Sequence, residues 1–92
     1  MTYVYNRYGQ VLSETWTKNN VVIDKYRYVY DENGRILRYV DIIHNIEYNY
    51  YYNKGGTIAK FIENVVDFSS DGHIVYRKLN RSINFQYDRL FN

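Results

Sequence analysis

Ten acidic residues, two histidines and a handful of serines are the side chains with which this chain could do chemistry. The acids are Glu14, Asp24, Asp31, Glu32, Asp41, Glu47, Glu63, Asp67, Asp71 and Asp88, dispersed from end to end. A glycosidase needs two carboxyls on opposite sides of one bond, and no spacing here singles out a pair. His44 and His73, the only histidines, each stand beside an expected turn, without cysteine or paired carboxylates at metal-ligand spacing. Ser13, Ser69, Ser70 and Ser82 lie in no nucleophile elbow, and no glycine-rich phosphate loop is present. The expectation is a non-enzymatic protein with no catalytic residues, no metal and no cofactor.

Recognition is the chemistry that the remaining residues suit. Thirteen tyrosines, four phenylalanines and one tryptophan make the chain 20% aromatic. That is more phenol than a domain of 92 residues can hide with every hydroxyl satisfied. Exposed tyrosine gives large contact area at low entropic cost, and its flat ring with a polar tip also suits a sugar face. The expected binding residues are Trp16, Tyr26, Tyr28, Tyr39, Tyr48, Tyr50 and Tyr76, with Arg27, Arg38 and Arg77 nearby. A purely structural reading stands beside this one: cross-strand tyrosine pairs brace a thin sheet at about 0.2 to 1 kcal/mol each. The aliphatics expected to fill a buried face include Val22, Ile36, Val40, Ile42 and Ile58.

The elements that would position these side chains follow from a repeated phrase: an aromatic, three polar or turn-forming residues, glycine, one more residue, then an aliphatic. It occurs at Tyr5–Val11, Tyr30–Ile36, Tyr52–Ile58 and Phe68–Ile74, with glycines 25, 22 and 16 residues apart. Asn33-Gly34 and Asp71-Gly72 are strong hairpin signals, Gly55-Gly56 is another, and Tyr8-Gly9 is the odd one. Asparagine-rich breaks at Lys18-Asn19-Asn20, His44-Asn45, Glu63-Asn64 and Asn80-Arg81-Ser82 suggest a second turn in each repeat. Between turns the residues alternate with period two, as in Tyr26, Tyr28 and Tyr30 against Arg27 and Val29. Strands are expected near 2–6, 10–17, 21–30, 35–42, 46–53, 57–63, 65–69, 73–79 and 82–88, with almost no helix. Short connections and the lack of proline favour sequential antiparallel pairing. The expected fold is therefore all-β: an up-and-down antiparallel meander of stacked β-hairpins over residues 1–92 as a single domain, either a single curled sheet or a small open barrel.

The second copy, Tyr26-Arg27-Tyr28-Val29-Tyr30-Asp31-Glu32-Asn33-Gly34-Arg35-Ile36-Leu37, resembles the YD repeat, also called the RHS repeat: Tyr-Asp, two variable residues, Gly-Arg, then aliphatics. The first copy has Asn6 and Gln10 where the motif has Asp and Arg. The third has Asn53 and Thr57, and the fourth has Phe68-Ser69 and His73. Tyr87-Asp88 reads as a truncated fifth start. The resemblance implies hairpins joined edge to edge into a curling sheet, sometimes a shell around a cargo domain, with links to carbohydrate contact and cell-surface interaction. It carries no catalytic residues, and four repeats are too few to enclose anything. Asp31 and Arg35 could face a ligand, but a local role is favoured: Asp31 capping its own turn and Arg35 lying across a tyrosine ring.

Composition bounds the partners. A chain this size buries only about 60 to 65% of its unfolded surface, and without cysteine it has no disulfide to supplement that. The net charge of +2 is spread without blocks, so electrostatic capture of nucleic acid is not indicated. No apolar run approaches the ~18 residues of a membrane helix, and the start lacks signal-peptide character. A protein partner is expected first and a glycan second, with nucleic acid ranked last, no membrane association, and self-association through sheet edges as the structural alternative. If the chain is complete, a cytoplasmic inhibitor, immunity protein or phage accessory factor is the expectation. If it is a fragment of a larger repeat protein, a secreted or cell-surface location is.

Overall fold

The four glycine turns share one hydrogen-bonding scheme, best seen at Asp31-Glu32-Asn33-Gly34. In the computed structural model, which describes residues 1–86, the Gly34 N–H donates to Asp31 O at 3.0 Å and the Asp31 N–H to Arg35 O at 2.8 Å. This is a type I turn followed by a residue in the left-handed region, the three-residue hairpin loop. Gly34 takes that position with φ of 82°. The same pair of backbone bonds closes the turns at Asn6–Gln10, Asn53–Thr57 and Ser69–His73.

In each turn the first polar side chain, where its bonds fall on the backbone, holds the chain it starts. Asp31 Oδ1 accepts the N–H groups of Asn33 and Arg35, Asn6 Oδ1 those of Tyr8 and Gln10, and Ser69 Oγ that of His73. The Asn-Gly and Asp-Gly pairs are hairpin signals because both positions tolerate positive φ. Only the glycine adopts positive φ here, which is why Tyr8 is tolerated before Gly9. Among the described residues, the one two-residue loop with both φ values positive is Asn19-Asn20, at 52° and 64°.

The turns join seven strands: β1 Thr2–Tyr5, β2 Val11–Lys18, β3 Val21–Tyr30, β4 Ile36–Asp41, β5 Ile46–Tyr52, β6 Ile58–Phe68 and β7 Ile74–Asn84. They form one sheet in sequence order, every neighbouring pair antiparallel. The expected meander is therefore present, as one sheet that does not close into a barrel, and the described residues contain no helix. Beside each glycine turn the register slips by one residue. Tyr30 faces Ile36 while Val29 faces Arg38, leaving Leu37 unpaired, and Leu12, Ala59 and Val75 are skipped in the same way.

Two expected breaks are absent. Glu63-Asn64 lies inside β6 and Asn80-Arg81-Ser82 inside β7, so 57–63 and 65–69 are one strand, as are 73–79 and the described part of 82–88. The 16-residue spacing from Gly56 to Gly72 leaves room for a single strand, whereas spacings of 25 and 22 accommodate two strands and a turn. The Asn64 and Asn80 side chains bond carboxylates instead of reversing the chain. Asn80 is the extra residue of a bulge, because Arg81 faces Glu63 and Leu79 faces Asn64. Tyr87-Asp88 lies outside the described residues.

Copies one to three thus turn at one end of the sheet and copy four at the other. At the shared end, neighbouring copies interlock. The Tyr30 hydroxyl donates to Val11 O at 2.7 Å, and the Tyr52 hydroxyl donates to Ile36 O. Each aromatic that opens a copy therefore bonds the aliphatic that closes the preceding one. The residue after the glycine reaches forward in turn: Gln10 Nε2 donates to Gly34 O at 3.3 Å, and the Arg35 guanidinium lies 4.4 Å from the Tyr52 ring centroid. Copy four has no neighbour at its end, and there Phe68 replaces tyrosine.

The sheet is a single layer. Its radius of gyration is 15.6 Å, against about 12 Å for a compact chain of this length. Only Val40 and Val66 are buried apolar residues among those described, at 4% and 1% exposure. Val40 meets the expectation; Val22, expected inside, is 43% exposed because the β2–β3 hairpin extends beyond the strands that could cover it.

Gly34→Ala is expected to cost about 1 to 2 kcal/mol, the penalty for a side chain in the left-handed region. Gly55→Ala, which has no atom within 4 Å of the added methyl and no positive φ, is expected to be neutral or slightly stabilising. Paired urea denaturation curves test this, and equal losses at the two sites would contradict the turn assignment.

Candidate functional site

Strand register sorts the candidate residues onto two faces. Tyr28 opposes Tyr39 and Tyr39 opposes Tyr48, while Tyr50 opposes Phe61, so these rings share one face. Glu14 faces Tyr26 and Trp16 faces Asp24 on the same side, and Tyr76, opposite Asp67, belongs there too. Arg27 opposes Val40, Val40 opposes Glu47, and Val66 opposes Arg77. Arg27, Arg38 and Arg77 consequently stand on the reverse face from the aromatics they were expected to accompany.

On the tyrosine face the rings form a ladder across four strands. Centroid separations are 5.9 Å for Tyr28–Tyr39, 4.5 Å for Tyr39–Tyr48, 5.7 Å for Tyr48–Phe61 and 5.3 Å for Tyr50–Phe61. The Arg81 guanidinium closes one end, 5.5 Å from the Phe61 centroid. Glu14 closes the other: one carboxylate oxygen accepts the Tyr28 hydroxyl and the second accepts the Trp16 indole N–H, each at 2.7 Å. Burial, together with the Glu14 hydrogen bond, pushes the Tyr28 phenol upward, and burial beside Tyr50 and Tyr48 does the same for Tyr39. Both phenols are therefore neutral donors near neutral pH. Tyr28, Tyr39, Tyr48 and Tyr50 are half-buried; Trp16 and Tyr76 are 38% and 57% exposed and share no ring contact with the ladder. Tyr26 sits among Asp24, Asp41 and Glu14, where burial and those charges raise its phenol.

Charge is segregated by face, a property hidden by its even spread along the sequence. Within the strands, Glu14, Asp24, Asp41, Glu63 and Asp67 stand on the tyrosine face, with Lys18, Lys78 and Arg81 as its cations. The reverse face carries Lys25, Arg27, Arg38, Lys60 and Arg77 and, among the described residues, one acid, Glu47.

Glu47 is 1% exposed. Arg77 Nε donates to both its oxygens at 2.9 and 3.1 Å and Arg77 Nη2 to Oε2 at 3.0 Å. Asn49 and Asn64 each donate to Oε1 at 3.0 Å, and Arg38 Nη1 approaches Oε2 at 3.5 Å. Burial opposes ionisation of this carboxyl, but the donors from Arg77, Asn64 and Asn49 prevail and hold it down at about 2. Beyond this cluster, the far part of the β6–β7 hairpin comes back toward β3: Arg27 Nη2 donates to Gly72 O at 2.9 Å, and its guanidinium lies 5.8 Å from the Phe68 centroid.

The remaining candidates have local roles. Arg35 Nε bonds Asp31 Oδ2 at 2.9 Å, which, with the ring contact to Tyr52, matches the local reading. His44 Nδ1 lies 2.9 Å from Asp41 Oδ2, and the His73 side chain is 81% exposed. Among the described residues, no three His, Cys, Asp or Glu side chains gather as a metal site. Missed from the sequence as site residues were Glu14, Phe61 and Arg81 on the tyrosine face and Glu47, Asn49 and Asn64 on the reverse face. The period-two pattern does place Phe61 beside Tyr50 once the Gly56 hairpin is registered with its bulge.

No family model, no curated protein and no solved structure matches the chain.

Glu47→Gln is expected to lose roughly 3 kcal/mol at pH 7, the linkage value of a carboxyl lowered from 4.5 to about 2. Because the folded value lies below the unfolded one, the stabilisation is complete above about pH 4.5 and is lost as pH falls toward 2. Urea titrations followed by Trp16 fluorescence should show a steeper acid decline for the parent protein than for the variant. Parallel pH profiles would remove Glu47 from this role.

Proposed function

We propose that this protein is a small non-catalytic binding module that presents its tyrosine face to a protein partner. The observation that carries the reading is the Tyr28–Tyr39–Tyr48–Tyr50–Phe61 ladder, a flat aromatic strip half open to solvent with no second layer over it among the described residues. Aromatic anchors flanked by polar groups are the residues that dominate protein interfaces. The carboxylates around the strip, Glu14, Asp24, Asp41, Glu63 and Asp67, favour a partner surface bearing lysine or arginine. Those cations can also lie over the phenol faces. An inhibitor, an immunity protein or a phage accessory factor would have this form, and a glycan is the second ligand class that the rings suit.

A structural reading has its own support. The outer strand β1 is exposed along its whole length and carries no charge from Thr2 to Tyr5, so its free edge is open to strand addition. On this reading the chain is a repeat unit, or a piece of a YD-like shell, that associates edge to edge.

Sizing and partner capture separate the two. The binding module is expected to be monomeric over a hundredfold dilution, and a captured partner, once identified and purified, should bind in a saturable manner. Tyr48→Ala/Tyr50→Ala should weaken that binding by about tenfold or more, as loss of aromatic anchors does. Because those rings also brace the sheet, Trp16→Ala serves as the gentler variant, expected to keep the circular dichroism of the parent and still lose affinity. Association that grows with concentration and survives both changes would decide for edge assembly. Undiminished partner binding by both variants would sink the tyrosine-face reading.

A further inference from the structure

The reverse face contains a cleft of about 430 Å³ between β3–β4 and the returning β6–β7 hairpin, lined in part by Arg27, Val29, Arg38, Val40, His73 and Arg77. That volume lies within the range of small-molecule sites. Three guanidinium groups from three strands face this space, and the single carboxylate that answers them is Glu47. Arg77 commits Nε and one Nη to Glu47. Arg38 makes only the 3.5 Å charge contact, with no hydrogen bond from its guanidinium among the described residues. Arg27 spends one Nη on Gly72 O. The cleft thus holds two positive charges beyond what Glu47 neutralises, and unspent planar N–H donors on Arg27 and Arg38.

We propose that this cleft binds a phosphate monoester. A monoester carries about −1.5 to −2 charges at pH 7 and three acceptor oxygens, which matches the uncompensated pair of guanidinium groups. Arginine forks fit such oxyanions two bonds at a time. The aliphatic wall of Val29 and Val40 suits the organic body of an ester in a way that a bare ion does not require. The site is on the opposite face from the proposed tyrosine interface and stands independently of it.

The test is an NMR titration at constant ionic strength with inorganic phosphate, phenyl phosphate and a short phosphoserine peptide, each against chloride. The proposal expects saturable shifts confined to the amides of β3, β4 and residues 73–77, with phenyl phosphate binding more tightly than inorganic phosphate. Arg38→Gln should weaken phenyl phosphate by about tenfold or more, the loss expected for charge-assisted bonds. Arg7→Gln, at an exposed turn, should change nothing. If Arg38→Gln disturbs the fold, Arg27→Lys keeps the charge, removes the fork and should weaken binding in the same direction. A peptide that binds more than about tenfold tighter than phenyl phosphate would identify the source as a phosphorylated protein, and equal affinities a small metabolite. Shifts that follow ionic strength alone, that spread over all basic residues, or that persist in both variants would overturn the proposal.

Discussion

A sheet of one layer has no apolar interior to rest on, so the ionised Glu47 carboxylate takes the place that a leucine cluster would occupy elsewhere. Val40 and Val66 are the described apolar residues that water does not reach, and both lie on the Glu47 face, in strands paired with its own or with that of Arg77. A buried charge is tolerable only when its hydrogen-bonding capacity is filled, and Arg77, Asn49 and Asn64 fill it from β7, β5 and β6. The cluster thereby ties the last hairpin to the middle of the sheet. The arginine cleft lies between the parts that this attachment joins.

The two faces solve the problem of a thin sheet differently. The tyrosine face uses ring stacking, with phenols and an indole pinned by Glu14 at one end and a guanidinium at the other. The reverse face uses ion pairing around one acid. Neither device conceals much surface, which leaves both sides of the molecule chemically addressable. The chain is in this respect less a core with a coat than two exposed faces sharing one backbone.

Much of this architecture could be read from the residues. The four glycine phrases located four hairpins because each encodes a turn closed by its own side chain and backbone, and period-two alternation placed Tyr26, Tyr28 and Tyr30 on one side. What escaped was anything that depends on register between distant strands. Glu47 looked like one more solvated acid until β4, β6 and β7 brought Arg38, Asn64 and Arg77 around it. The arginines at 27, 38 and 77 were grouped with the tyrosines as sequence neighbours, although the same period-two alternation already sets Arg27 opposite Tyr26 and Tyr28. Asn64 and Asn80 read as turn residues by composition, whereas their amides serve carboxylates, a distinction no local propensity can make.

The lone crossing of β6 gives the molecule a parity. Phrases separated by an even number of strands surface on the same rim and clasp one another through tyrosine hydroxyls; an odd number sends the next phrase to the far rim, where Arg27 of β3 meets it in place of a tyrosine clasp. The shortest interval in the chain therefore works as a reversal signal, ending the run of clasped turns and freeing the final hairpin to bend toward the opposite side. Lengthening that interval by one strand would restore the run and, in the same stroke, dismantle the basic hollow.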